Sequence, residues 1–425
     1  MNKNDNIYKT YVEILKSELV PAMGCTEPIA LAYASAKARE VLGSIPTYIL
    51  VEVSGNIIKN VMSVVVPNTG GLRGIEAAVA AGIIGGDASL VLEVISKVSE
   101  EQKKNIKTYL EETQIEVRPL NSRASLDIKL TLTNDEDYVC LRISNEHANI
   151  VHIEKNGRVL LTRKGQRKKQ SSNLDYSLLG VEKIFEFANV VDIEEVYESI
   201  HRQITCNYAI AEEGLRGNWG ANIGSVLLKT YGKDVKTRAK AMAAAASDAR
   251  MSGCELPVII NCGSGNQGIA TALPVLEFAK ELNSGDEKLY RALALSNLLA
   301  VHFKQGIGKL SAYCGAVSAG VAAGCGIAYL HGADFEAIAH TIVNAFAIES
   351  GMVCDGAKPS CAAKIASSVD AGILGYFMYV EGQEFKDGEG IVTKGVENTI
   401  RNVGRLGKDG MRETDREILR IMTKC

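Results

Sequence analysis

Cys314, Cys354 and Cys361, together with Cys25 in the turn-like run Gly24-Cys25-Thr26-Glu27-Pro28, are the residues of this chain best suited to chemistry. Three neighbouring thiolates can hold three irons of a four-iron cluster and leave the fourth iron open to substrate. Cys314 lies in a stretch of Gly, Ala and Ser, while Cys354 and Cys361 flank Asp355-Gly356-Ala357-Lys358-Pro359-Ser360. Gly and Pro there permit the tight backbone that would aim two nearby thiols at one point. Zinc competes for three thiols, although neither a Cys-x-x-Cys pair nor paired histidines accompany them. The plain alternative is burial, since the chain has ten cysteines and a free cysteine packs well as a small hydrophobe.

The elements that must position these residues are legible in outline. Ile7, Tyr11, Ile14, Leu15 and Leu19 recur at helical spacing, Pro21 ends that helix, and Pro28 opens the next. Cys25 therefore sits near a helix N-terminus, where backbone N–H groups favour a thiolate. Tyr48 to Val53 and Ile57 to Val66 read as strands, and Ile75 to Ile84 as a small-residue helix. Ser99 to Glu112 reads as an amphipathic helix, and from Ile115 to Leu161 period-two alternation predicts several antiparallel strands. Beyond residue 176 the composition favours helix almost throughout, broken at Gly clusters. The expected fold is α+β: an N-terminal α/β part with antiparallel strands, then a mainly α-helical C-terminal domain. The basic run from Arg163 marks the boundary, giving domains of residues 1–172 and 173–425.

A chain of 425 residues suits two or three domains, and 46% hydrophobic with 23% charged residues marks an ordinary globular protein. The net charge of −3 gives no electrostatic case for nucleic acid or an anionic membrane. Leu310 to Ala333 carries no Asp, Glu, Lys or Arg. It consists of small residues, so it reads as a buried close-packed helix and not a membrane span. Cysteine usage without a secretory signal points to a reducing cytoplasm. A homo-oligomer is compatible with the sequence.

Gly24 to Pro28, Asn68-Thr69-Gly70-Gly71, Asn261-Cys262-Gly263-Ser264-Gly265-Asn266-Gln267-Gly268 and the three late cysteines together resemble the L-cysteine desulfidase family, which is related to the iron–sulfur L-serine dehydratases. The likeness covers nearly the whole chain, the first part resembling the dehydratase β part and the rest the α part. It implies an oxygen-sensitive [4Fe–4S] enzyme that splits L-cysteine into pyruvate, ammonia and sulfide. Cys314, Cys354 and Cys361 match the cluster ligands, although serine dehydratases space the last two more widely. Cys25 matches the proposed base. Where the dehydratase β part has a histidine before threonine, this chain has Cys25 before Thr26, an exchange that suits the desulfidase branch. Removing a Cα proton needs a base poised near neutral pH, which a cysteine at a helix start can be. The alternative makes Cys25 a fourth cluster ligand.

Thr26, Glu27, Asn68, Thr69, Gly70, Ser264, Gly265, Asn266 and Gln267 are the expected substrate-binding residues, in Gly-permitted turns with polar donors ahead of helices. Connecting-turn chemistry is the plainer reading of each run alone, and Glu27 equally suits its own helix N-terminus. Lys309 would offset cluster charge or stand solvated. Cys425 resembles the C-terminal cysteine that covers the open iron in related dehydratases, or is a frayed end. The rivals are an L-serine dehydratase using the same site and a non-enzymatic iron–sulfur sensor, for which no DNA-reading domain is evident. A pyridoxal-phosphate lyase is a third, but it lacks a Schiff-base lysine with a phosphate cup.

Overall fold

The computed structural model describes residues 1–122, 124–163, 174–308 and 311–423. Lys309, Cys425 and the expected boundary at 172/173 lie outside them. The architecture is α+β. Eight strands occur among the described residues: β1 (Pro21–Met23), β2 (Tyr48–Val53), β3 (Gln114–Pro119), β4 (Asp127–Thr133), β5 (Tyr138–Ser144), β6 (Ile150–Lys155), β7 (Arg158–Thr162) and β8 (Pro257–Ile259).

Strands β2 to β7 form one sheet in the order β3-β2-β4-β5-β6-β7. The alternation read from Leu126 onward sets its register, so that Val51 pairs Leu130 and Leu130 pairs Leu141, all fully buried on one face. Helices Thr26–Leu42 and Gly74–Gly85 cover that face. One pairing departs from expectation: β3 runs parallel to β2, all other pairs being antiparallel. The reason is the connection, since helix Glu100–Glu112 carries the chain back across the sheet, and a crossover of that kind yields a parallel neighbour. Ser99 starts that helix with a reciprocal capping box to Gln102.

Ile57 to Val66 is not a strand. Gly55–Val61 is helical, burying Ile57 and Val61, four apart, on one face. Lys59 and Asn60 of the same helix reach Asp415 and Glu27. Tertiary partners here override the β-branched composition.

The second core is helical and spans Leu179 to Met411, but helix Asn6–Glu18 joins it through Tyr8, Tyr11, Ile14 and Leu15. The two cores are tied by a small second sheet in which β1 pairs antiparallel with β8, Ala22 opposite Val258. Asn207 clamps β8, accepting from Ile259 N–H at 2.8 Å and donating to Ile259 C=O at 3.2 Å.

The small-residue stretch forms helix Gly315–Leu330, buried along nearly its whole length. It packs on helix Cys361–Val380 so closely that a Cβ at Gly324 would lie 2.4 Å from Gly372 O. Small side chains are what permit this backbone approach. Among the described residues no helix is long and apolar enough to cross a membrane.

Candidate active site

The site begins with a backbone pairing. Tyr313 and Val353 form an antiparallel bridge, flanked by Cys314 N–H to Met352 C=O (3.1 Å) and Cys354 N–H to Ala312 C=O (2.6 Å). This places Cys314 beside Cys354 although forty residues separate them in sequence. Cys361 follows at the first position of helix Cys361–Val380, with its thiol 3.6 Å from Gly356 C=O. All three thiols line one cavity of about 120 Å³.

Four helices begin at this cavity. Cys314 caps Gly315–Leu330, Cys361 opens Cys361–Val380, Cys25 caps Thr26–Leu42, and Ser264 caps Gly265–Glu281. Each helix start carries N–H groups without intrahelical partners and the positive end of a dipole, so their convergence makes an anion-attracting centre.

Cys25 arrives from the other core. Gly24 turns the chain at φ +63°, and a Cβ there would lie 2.3 Å from Pro67 Cγ, so only Gly fits the turn. Thr26 Oγ1 donates to Gly263 C=O at 2.9 Å, joining the Cys25 turn to the Asn261–Gly268 loop. Glu27 lines the cavity and accepts from Asn60 Nδ2 and Thr26 Oγ1, each at 3.2 Å.

Ser264, Asn266 and Gln267 line the same cavity, and the buried Gln267 Oε1 has no hydrogen-bond partner. Gly265 makes no part of the wall but leaves room for Arg250 behind it. Asn68, Thr69 and Gly70 also stand outside the wall. Asn68 donates to Ile95 C=O at 2.8 Å and contacts Met23 Sδ, and Thr69 donates to Val66 C=O at 2.7 Å. They brace the turn that carries Cys25.

Electrostatics distinguish the thiols. Burial pushes Cys25 up to about 12, against the pull of the Arg250 guanidinium. The expected lowering by the helix start does not occur, because the side chain makes no cap hydrogen bond and lies 3.7 Å from Met251 Sδ in an apolar pocket. A hydrogen bond from Cys314 lowers Cys354, helped by the Lys59 and Lys304 charges, and raises Cys314. The pair therefore titrates as a unit with Cys354 as its thiolate. Lys304 is 5% exposed and its burial lowers it, while Cys262, Cys354 and Cys314 oppose that shift.

Several wall residues escaped sequence reading: Arg250, Lys304, Asn60, His147 and Tyr313. Cys262, quoted in the Asn261–Gly268 run but not expected to bind substrate, also lines the cavity and is held at φ +52°, a conformation uncommon for a side chain with Cβ.

The donor set fits an iron–sulfur cluster. Among the described residues no three His, Cys, Asp or Glu side chains are arranged to hold a single metal ion. Yet three thiols line one cavity, with the buried Lys59 and Lys304 acting on Cys354 and helices starting at Cys314 and Cys361. Three thiols lining one space beside helix N-termini suit an anionic multi-iron body, which Cys314, Cys354 and Cys361 would hold.

Residues 89–420 match the family model of the serine dehydratase alpha chain. The chain belongs to that family. The match begins within the sheet-bearing part and covers all three late cysteines. This serine dehydratase-like chain is also 63% identical to a UPF0597 protein of Desulfitobacterium hafniense, over 99% of this chain and 98% of that one. UPF0597 proteins of Lachnoclostridium phytofermentans and Finegoldia magna are 53% and 50% identical, over 98% and 97% of this chain and 100% and 99% of theirs. Membership marks the chain as a serine dehydratase-like lyase.

Proposed function

We propose that this protein is a [4Fe–4S]-dependent L-cysteine desulfidase of the cytoplasm, converting L-cysteine to pyruvate, ammonia and hydrogen sulfide. The observation that carries the reading is the meeting of Cys25 with Cys314, Cys354 and Cys361 around one cavity at four helix starts. When bound, the cluster supplies a Lewis-acidic iron with affinity for soft sulfur.

The chain's own residues account for the rest. Glu27, held by Asn60 and Thr26, offers a carboxylate to the substrate ammonium. Ser264, Asn266 and Gln267 offer hydroxyl and amide groups at a helix start to the rest of the zwitterion. The Cys25 thiolate removes the Cα proton. The electron pair left on Cα forms the Cα–Cβ double bond as the Cβ–S bond breaks, and sulfur leaves with that bond's pair. The aminoacrylate product takes a proton at Cβ to become the imine, which water hydrolyses to pyruvate and ammonia. No net oxidation occurs.

Family membership supports L-serine dehydratase as the second reading. Anaerobic protein reconstituted with iron and sulfide, assayed for pyruvate from L-cysteine and from L-serine, separates them. Faster pyruvate formation from cysteine, with one sulfide per pyruvate, is expected. Turnover of serine alone would keep the site and change the substrate, and no pyruvate from either by a fully loaded protein would overturn both.

A further inference from the structure

We propose that Arg250 is the substrate's carboxylate anchor and that, opposite Glu27, it makes the cavity selective for zwitterionic α-amino acids. This rests on reading the cavity as an amino-acid site.

Arg250 lies at the end of helix Val235–Met251, next to the Met251 that touches Cys25. Its side chain is 2% exposed and lines the cavity. One guanidinium N–H goes to Asn266 Oδ1 at 3.0 Å, while Nε is buried with no partner. No carboxylate among the described residues pairs with it. Burying a guanidinium unpaired is costly, so an arrangement that keeps one implies an anion that arrives later. The fold also reserves space for it: a Cβ at Gly265 would lie 2.3 Å from Arg250 Nε and 2.7 Å from Cζ. That leaves the planar fork against the start of helix Gly265–Glu281, where a carboxylate would meet both guanidinium and backbone N–H donors.

Glu27 lines the same cavity, and its hydrogen bonds among the described residues come from neutral groups of Asn60 and Thr26. Arg250 and Glu27 both act on the Cys25 thiol, in opposite directions, so one cation and one anion stand near the same sulfur. An α-amino acid carries its carboxylate and ammonium on one carbon, and anchoring both groups presents the hydrogen of that carbon to Cys25. Lys304 is another buried cation lining the cavity, and the thiols that act on it are Cys262, Cys354 and Cys314, not Cys25.

The test uses L-alanine, which has no leaving group, and L-alaninamide, which lacks the carboxylate charge, titrated calorimetrically into the anaerobic full-length protein. The wild type is expected to bind alanine more tightly by about ten- to hundredfold, the range of a charge-assisted pair. Arg250→Gln should erase that ratio by weakening alanine alone. Arg250→Lys, which keeps the charge without the fork and is the milder change to a buried site, should leave an intermediate ratio. Glu27→Gln should weaken both ligands and preserve the ratio. Retention of the wild-type ratio in either Arg250 variant, or its loss in Lys304→Met, would overturn the proposal. So would a change confined to the pH dependence of Cys25 alkylation, which would make Arg250 a partner of the thiol only. Absence of pyruvate from both L-cysteine and L-serine sinks the lyase reading and leaves this binding ratio to be judged by itself.

Discussion

At Cys25 burial and charge oppose each other, and burial wins: the thiol stands at about 12 despite Arg250. Only the thiolate can take a proton, so its fraction rises about tenfold per pH unit below that value. Alkylation of Cys25 in the substrate-free protein, followed by peptide mapping, should therefore accelerate with pH without levelling off before about pH 10. A plateau near pH 7 would contradict the burial account. Lys304 makes a complementary case. Its lowered value means that the folded protein disfavours the protonated amine, so the residue reduces stability fully below its lowered folded value, the deficit fades as pH rises from there, and it is gone above the unfolded pKa of about 10.4. Lys304→Met should raise the melting temperature of cluster-free protein at pH 7, and a lower value would contradict this. The cysteines could be singled out in sequence because they flank Gly and Pro turns and match a family pattern, and the structure brings them to one cavity. Arg250 was not, since in Ser247-Asp248-Ala249-Arg250-Met251 it looks like any arginine closing a helix.

Among the elements, the close pair Gly315–Leu330 and Cys361–Val380 sets where Cys314 and Cys361 sit. Gly324→Val would push a side chain into Gly372 O, 2.4 Å from the new Cβ. Overpacking of this kind costs about 1–3 kcal/mol or more, and the helix starts would shift with it. A lower melting temperature together with reduced iron retention is expected, and an unchanged pair of values would show that the approach is not limiting. The small-residue helix and the alternating strands were readable because their patterns are local and periodic. Gly55–Val61 was not, because its Ile and Val content favours a strand while its helical form depends on burial of Lys59 against Asp415, far along the chain. The parallel placement of β3 likewise depends on a crossover that periodicity does not encode.

Over the whole molecule, the site exists only where two hydrophobic cores meet. Strands β1 and β8 and the Thr26–Gly263 hydrogen bond hold that junction. Thr26→Val removes the donor and leaves the Gly263 carbonyl without it, a loss of about 1–3 kcal/mol if the carbonyl stays buried. The rate of pyruvate formation from L-cysteine should fall about tenfold or more with iron content unchanged, and loss of iron instead would place Thr26 in cluster retention. The division into a sheet part and a helical part was visible in composition. The strand pair joining them was not, since three-residue strands carry too little pattern to read. In the proposed reaction Cys25 acts as base while Cys314, Cys354 and Cys361 hold the cluster. The most direct measurement is iron content and pyruvate formation from L-cysteine on the same anaerobic samples of wild type, Cys25→Ala and Cys314→Ala. The account predicts about four irons per chain in wild type and in Cys25→Ala, with pyruvate formed by wild type alone, and depleted iron in Cys314→Ala. Iron lost from Cys25→Ala would make Cys25 a ligand, and pyruvate formed at the wild-type rate by Cys25→Ala would contradict its role as base.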